Sequence, residues 1–250
     1  MHNELFSILD SVESTNNYAI EKIKQGFGVN GKTWFAKEQW GGRGQRGKSW
    51  VSESGKNIIL SIIIKPNQLF IEKPFFFSSL IASTCKHFIA DLNIINVKIK
   101  WPNDIYINDR KAGGILIENI YKGNEWQWAV VGIGINVNQL DFEDELYPKT
   151  SILKECSVIY DPLDLSYKLY QLLMKVIEEI NEQNFKNGLL LLNTNLYKKG
   201  ELVSFFKKNE TIDAEIISVN ENGQLEVEAN ETDYKFNVGE VKIDWLNSNK

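Results

Sequence analysis

The chain has 250 residues, 43% of them hydrophobic and 24% charged, with a formal net charge of −5. That length suits one large unit plus a small one, and the acidic total argues against a general nucleic-acid binder, which carries a basic face or a basic total. Two cysteines, Cys85 and Cys156, with His2 and His87, are too few for a disulfide framework or a thiolate zinc site.

The N-terminal Met-His-Asn-Glu-Leu carries no basic region followed by an apolar one, and no apolar run approaches the roughly 20 residues that span a bilayer. The expectation is a cytoplasmic protein without a membrane segment. Leu5–Leu9 reads as a short strand, and Tyr18, Ala19, Ile20 and Ile23 follow at helical spacing. Ser14 is placed to cap that helix and Gly26 to end it. On this reading Ser14-Thr15-Asn16 needs no role beyond capping.

Thr33–Lys37 is a strand leading into Gln39–Trp50, a stretch with four glycines, Arg43, Arg46 and Lys48, closed by Trp50. Glycines allow positive φ and close approach of a ligand, and successive N–H groups in such a turn form a concavity suited to an anion. Asn57–Lys65 is too continuously apolar and β-branched for an exposed strand and is expected at the sheet centre. Pro74 opens a helix to about Asp91 that carries Cys85 as a buried, inert thiol.

Val97–Trp101 and Ile105–Ile107 are strand-like, Asn108-Asp109-Arg110 forms a turn, and Lys111–Glu118 returns as a hairpin. Lys100 reads as a solvated charge at a strand end; Trp101, Trp126 and Trp128 read as core or strand-pairing residues. In the strand Trp126–Val137, Gly132 and Gly134 fall on one side by the period of two, leaving room for something flat or bulky against the backbone. Asp141–Tyr160 looks irregular, and Asp161–Asn181 and Asn184–Tyr197 read as helices. After Gly200, short runs separated by turns at Asn209, Asn222-Gly223 and Asn230 predict a small β-barrel.

If the sheet gathers these polar segments, the site holds Arg43, Arg46, Lys48 and Lys111 as cations and Asp104 as a lone carboxylate. Asn16, Gln39, Asn103 and Asn136 supply neutral hydrogen bonds. No Ser/His/Asp set and no Cys/His pair is evident, so acyl-enzyme chemistry is a poor fit. Cations without a nucleophile suit a carboxylate attacking a nucleoside triphosphate, where two anions must be held in line.

Gly42-Arg-Gly-Gln-Arg-Gly-Lys-Ser-Trp50, Lys100-Trp-Pro-Asn-Asp104, Lys111-Ala-Gly-Gly-Ile115 and Gly132-Ile-Gly-Ile-Asn136 resemble, in order and spacing, the signature motifs of biotin protein ligases. The early Ser14-Thr15-Asn16 and the C-terminal β-region resemble the same family. The resemblance implies an α+β fold: a mixed, largely antiparallel sheet with helices, of the class II aminoacyl-tRNA synthetase/biotin ligase type, in residues 1–199. It implies a small SH3-like β-barrel in 200–250.

By the same resemblance, Ser14, Thr15, Asn16, Gln39, Arg43, Gly44, Gln45, Lys111 and Gly114 bind biotin. Arg46, Lys48, Trp50, Asn103, Gly132 and Asn136 face ATP, and Arg43, Lys111 and Asp104 carry the catalysis. Asp104 is expected to orient or deprotonate the acceptor lysine. No protein side chain is assigned as a metal ligand. The implied substrates are biotin and ATP with Mg²⁺, and the implied partner is the biotin carboxyl carrier domain of a biotin-dependent carboxylase. Both a monomer and a homodimer fit.

Two departures stand out. Gln45 occupies a position where the family often has arginine, which should loosen the hold on the adenylate. The chain also has no room for the N-terminal helix-turn-helix of longer members, so a ligase without DNA binding is expected. A lipoate ligase or octanoyl transferase is the alternative enzyme, and a single-stranded nucleic-acid module the alternative of another class.

Overall fold

The computed structural model describes residues 4–142, 148–207 and 210–248. The first sheet takes β1 (Phe6–Val12), β2 (Thr33–Gln39), β3 (Asn57–Ile64), β4 (Val97–Lys100), β5 (Asp104–Ile107), β6 (Arg110–Lys122) and β7 (Glu125–Asn136). Its order is β1-β2-β3-β7-β6-β5-β4, with β1 and β2 parallel and every other pair antiparallel. This is the mixed, largely antiparallel sheet that was expected.

Helix α1 (Thr15–Lys24) begins where Ser14 Oγ accepts from the Asn17 N–H, and Gly26 follows its end at φ +85°. α2 (Gln68–Glu72), capped by Asn67, precedes α3 (Pro74–Ala90), which Pro74 opens. α4 (Ile152–Cys156), capped by Ser151, interrupts the stretch expected to be irregular, of which 143–147 lie outside the described residues. α5 (Pro162–Glu178) and α6 (Glu182–Thr194) complete the helices.

Alternation along β3 decides what lies on each face of the sheet. All eight of its residues are buried. Ile58, Leu60, Ile62 and Ile64 join the main core with Phe77, Ile81 and Leu169 of α3 and α5. Ile63 faces the other way and packs with Trp34, Val130 and Ala19 of α1. Fully burying such a side chain contributes about 1.5–3 kcal/mol, so the register of β3 is firmly set. Ser61, two residues from Ile63, therefore shares the α1 face as the one polar side chain amid that apolar run.

The second sheet takes β8 (Leu202–Lys207), β9 (Glu210–Val219), β10 (Leu225–Ala229), β11 (Thr232–Phe236) and β12 (Lys242–Ser248), in the order β11-β10-β9-β8-β12. Gly223 at φ +80° makes the expected turn, and Asn230 and Glu231, at φ 49° and 61°, form the next. The turn expected at Asn209 lies outside the described residues. The barrel is not closed by the described pairings: β11 and β12 are the two outer strands and do not pair with each other. The ladder of β12 on β8 also breaks register between Asp244 and Ser248. What is observed is an open antiparallel sheet.

The two sheets share one core, which runs from Ile62 and Phe77 to Phe205 and Phe236. Trp101 Nε1 donates to the Gly223 carbonyl at 3.0 Å, and Asn193 exchanges two hydrogen bonds with the Val219 backbone.

Candidate active site

Register places a row of small or polar residues across the first sheet. Ser61 on β3 faces Gly132 on β7; Gly134 on β7 faces Gly114 on β6; Gly114 faces Asp104 on β5; Asp104 faces Lys100 on β4. Large side chains at these positions would fill the α1 face. Their absence leaves a cavity of about 690 Å³, roofed by the glycine loop and walled on one side by β12 and the turn before it.

Every site residue expected from the sequence lines this cavity: Ser14, Thr15, Asn16, Gln39, Arg43, Gly44, Gln45, Arg46, Lys48, Trp50, Asn103, Asp104, Lys111, Gly114, Gly132 and Asn136. At one end the start of α1 is knitted to the sheet. Ser61 Oγ lies 2.7 Å from Thr15 Oγ1 and 2.6 Å from Asn16 Oδ1, and Asn16 Nδ2 donates to the Leu116 carbonyl and to Glu118. Gln39 Oε1 accepts from the Thr15 N–H at 2.9 Å. Capping alone does not account for this triplet: Thr15 and Asn16 are buried polar groups turned to the cavity wall.

At the middle, Lys111 Nζ and Asp104 Oδ1 pair at 2.8 Å. The Trp50 ring covers them, 5.6 Å from the ammonium. A Cβ on Gly134 would stand 2.5 Å from Trp50 Cε2, so that glycine is needed for the indole to lie on the sheet; one on Gly114 would stand 3.3 Å from the same ring, a tighter than ordinary contact. Trp50 Nε1 is buried with no hydrogen-bond partner, which in a native site marks a donor awaiting an acceptor. Asn103 and Asn136 are tied to the Ile115 and Thr150 carbonyls, at 2.7 and 2.9 Å.

Arg43 is held by Glu118, Nη2 to Oε1 at 2.9 Å, and by Asn17 Oδ1 at 2.6 Å. Arg46 stands at φ 59° in the loop, its guanidinium against the backbone of Gly239 in the β11–β12 turn. The loop thus meets the second sheet across the cavity.

Lys100 is not a solvated strand-end charge. It is only 6% exposed; its Nζ donates to Tyr106 Oη at 2.6 Å and lies 5.0 Å from the centre of the Trp245 ring. Burial is the main cause that pushes its pKa down from 10.5 to about 8, assisted by Lys111, Lys48 and Lys198 and opposed by Asp104. Trp101 and Trp126 are core residues, as expected. Asn108 and Asp109 form the turn, at φ 48° and 42°, whereas Arg110 is already the first residue of β6; Asp109 also accepts from Tyr197 Oη at 3.0 Å and Arg110 pairs with Glu155 at 2.8 Å. Cys85 is buried, its thiol pushed up to about 12, and it does not line the cavity.

Sequence reasoning missed Ser61, Glu118, Tyr106, Lys149 and the β12 residues Ile243 and Trp245, all of which except Glu118 are set in the cavity wall or behind it. For Ser61 a signal existed, a single hydroxyl within the otherwise aliphatic run 58–64.

Residues 8–136 match the profile of the biotin/lipoate A/B protein ligase family, over half of the chain. The chain belongs to that family. A bifunctional ligase/repressor BirA of Salmonella typhimurium is 31% identical over 188 residues, 73% of this chain and 58% of that protein. A biotin–[acetyl-CoA-carboxylase] ligase of Paracoccus denitrificans is 32% identical over 142 residues, 52% of this chain and 53% of that one. The chain thus spans about half the length of the curated relatives it matches. The biotin protein ligase of Aquifex aeolicus, solved with biotin and ATP, has the same fold: TM-score 0.80 at 23% identity, over 97% of this chain and 99% of that one. Both the family profile and the register row converge on the cavity, since β3, β6 and β7 lie within the matched residues.

Proposed function

We propose that this member of the biotin/lipoate ligase family is a biotin–[biotin carboxyl-carrier protein] ligase, with residues 1–199 as the catalytic unit and 200–250 as a C-terminal unit. In the first step a biotin carboxylate oxygen attacks the α-phosphorus of ATP. The bond from that phosphorus to the bridging oxygen breaks, and pyrophosphate leaves with its electron pair. In the second, the acceptor lysine amine attacks the carbonyl carbon of the mixed anhydride, and AMP leaves.

The observation that carries this reading is the Lys111–Asp104 pair, 2.8 Å apart at the middle of the cavity and covered by Trp50. An ammonium there neutralises charge that develops between carboxylate and phosphate, where fixed charges act most strongly. Asp104 is then poised to orient the incoming amine or take its proton. The end built by Ser14, Thr15, Asn16, Gln39 and Ser61 offers paired donors and acceptors that suit a ureido group. The loop residues Arg43 to Lys48 bring positive charge to the junction, Gln45 adding a neutral hydrogen-bonder beside Gly44. Trp50 Nε1 offers its unused donor to an oxygen of the same anion.

Mg²⁺ fits as a companion of the triphosphate rather than a resident of the protein. Among the described residues no group of three His, Cys, Asp or Glu side chains is arranged to hold a metal, and the central carboxylate, Asp104, is engaged by Lys111. It supplies charge neutralisation between phosphates.

Biotin-dependent exchange of labelled pyrophosphate into ATP, without acceptor, is the test. Exchange that requires biotin and ignores lipoate is the expected result. Exchange with lipoate instead would move the chain to the lipoate branch of the family, and none with either acid would remove the ligase reading.

A further inference from the structure

We propose that Lys100 is a further substrate-binding residue, holding the pyrophosphate end of the nucleoside triphosphate at the seam between the two sheets. The proposal takes the identity of the anion from the ligase reading.

Position comes first. The register row runs from Ser61 through Gly132 and Gly134, Gly114 and Asp104 to Lys100, so Lys100 lies at the β4 end. Adjacent strands are about 4.8 Å apart. Lys100 therefore sits one strand beyond Asp104 and two beyond β6, the strand of Lys111, on the side away from the acid-binding end. A leaving group departing in line from the Lys111–Asp104 junction moves toward it.

Charge comes second. Lys48 and Lys111 line the cavity beside Lys100, Lys198 adds a further positive charge, and Asp104 acts in the opposite sense. Tyr106 Oη accepts its hydrogen bond, and the Tyr106 and Trp245 rings flank it at 4.5 and 5.0 Å. The ammonium groups of Lys48, Lys100 and Lys111 line one partly dry cavity, with Lys111 paired to Asp104, and a polyanion is drawn to that positive charge where a neutral adenine would not be. An ammonium enclosed this far is also poorly hydrated, so it gives up little on contacting phosphate.

The covering side chain matters too. Trp245 belongs to β12, and Lys242 and Ile243 of that strand also line the cavity. The second sheet thus provides the wall that dries Lys100 and makes its charge effective.

The test is titration calorimetry with inorganic pyrophosphate and magnesium chloride on the whole chain, alongside Lys100→Met and Lys100→Gln. Two variants guard against one failing to fold. The expected result is pyrophosphate affinity at least tenfold weaker in both, with biotin and adenosine affinity changed less than twofold. The gap between wild type and variants should close as pH rises above about 8, where Lys100 sheds its proton. The other charged and titratable groups acting on this site, Asp104, Tyr106, Lys48, Lys111 and Lys198, are present in all three proteins. Pyrophosphate binding equal in all three overturns the proposal, as does a parallel loss of biotin affinity, which would mark Lys100 as a structural pin. Pyrophosphate exchange on the wild type reads the ligase function separately. Binding through Lys100 without biotin-dependent exchange would keep the subsite and remove the ligase reading.

Discussion

The indole of Trp50 lies on the bare backbone of Gly134: a Cβ there would stand 2.5 Å from Cε2, 2.7 Å from Cζ2 and 2.8 Å from Nε1. The sheet therefore carries an imprint of the loop that covers it. Because Trp50 sits on a loop and Gly134 on a strand fully paired on both sides, the loop is the partner that yields.

Gly134→Ala should thus displace Trp50 while leaving the sheet in place. Overpacking typically costs about 1–3 kcal/mol, and the low end is expected here. The KM for ATP should rise about tenfold, by analogy with misplacement of a positioning group. Urea unfolding and pyrophosphate exchange measured on the same variant decide it. A stability loss near the top of that range with unchanged KM would mean that the strand, not the loop, had moved. Gly132→Ala makes the contrast, because a Cβ there would press on the Asn16 amide. That variant should weaken the acid substrate more than ATP.

Asp104 and Lys111 can be separated by the step each serves. Lys111→Ala should lower adenylate formation by about 10²–10³-fold, the usual cost of removing one stabiliser of developing charge. Asp104→Asn should leave the adenylate forming but slow transfer to the acceptor lysine. Single-turnover transfer from preformed adenylate is the measurement. Full transfer by Asp104→Asn would end the proposed role for this carboxylate.

Much of this site could be read from the chain because the relevant order is local. Gly132 and Gly134 share a face by the period of a strand alone, and Trp50 and Asn16 are what the space beside them accommodates. The central placement of β3 followed from its predominantly apolar, β-branched residues. Lys100 could not be read this way. In Val97-Lys98-Ile99-Lys100 both lysines alternate outward, and nothing local distinguishes them. Lys98 remains partly exposed, whereas Trp245, far along the chain, closes over Lys100. Glu118 escaped for the same reason: its partners Arg43 and Asn16 come from distant segments. The barrel was over-read because turn spacing fixes the number of strands but says nothing of whether the two outermost meet.

Arg46 and Gly239 offer a test of whether the loop uses the second sheet as its seat. Gly239 stands at φ +81°, and a side chain there would run into the Arg46 guanidinium. Gly239→Asn tolerates the left-handed backbone better than most residues, so it isolates the steric effect. It should push Arg46 away and raise the KM for ATP, with a smaller effect on biotin. If Arg46→Ala and Gly239→Asn are each harmful and the double variant is no worse than either, the two act as one contact. Additive losses would show that they act separately.

Lys100 also sets a pH dependence of stability whose sign is fixed. Burial holds its pKa near 8 against 10.5 for an ordinary lysine. Between those values the unfolded chain keeps a proton that the folded chain has released, so the contribution of Lys100 to stability rises with pH across that window. Below pH 8 the folded protein carries the full cost of the enclosed charge, on the order of 3 kcal/mol. Lys100→Met removes that cost and forfeits the hydrogen bond to Tyr106 Oη, about 1 kcal/mol. The variant should therefore be the more stable protein at pH 7, and the advantage should vanish by about pH 10 as the wild type sheds the charge. Urea midpoints at the two pH values measure this directly. A variant less stable than wild type at pH 7 would mean that the ammonium holds the two sheets together, and the charge would then serve the fold rather than the phosphate.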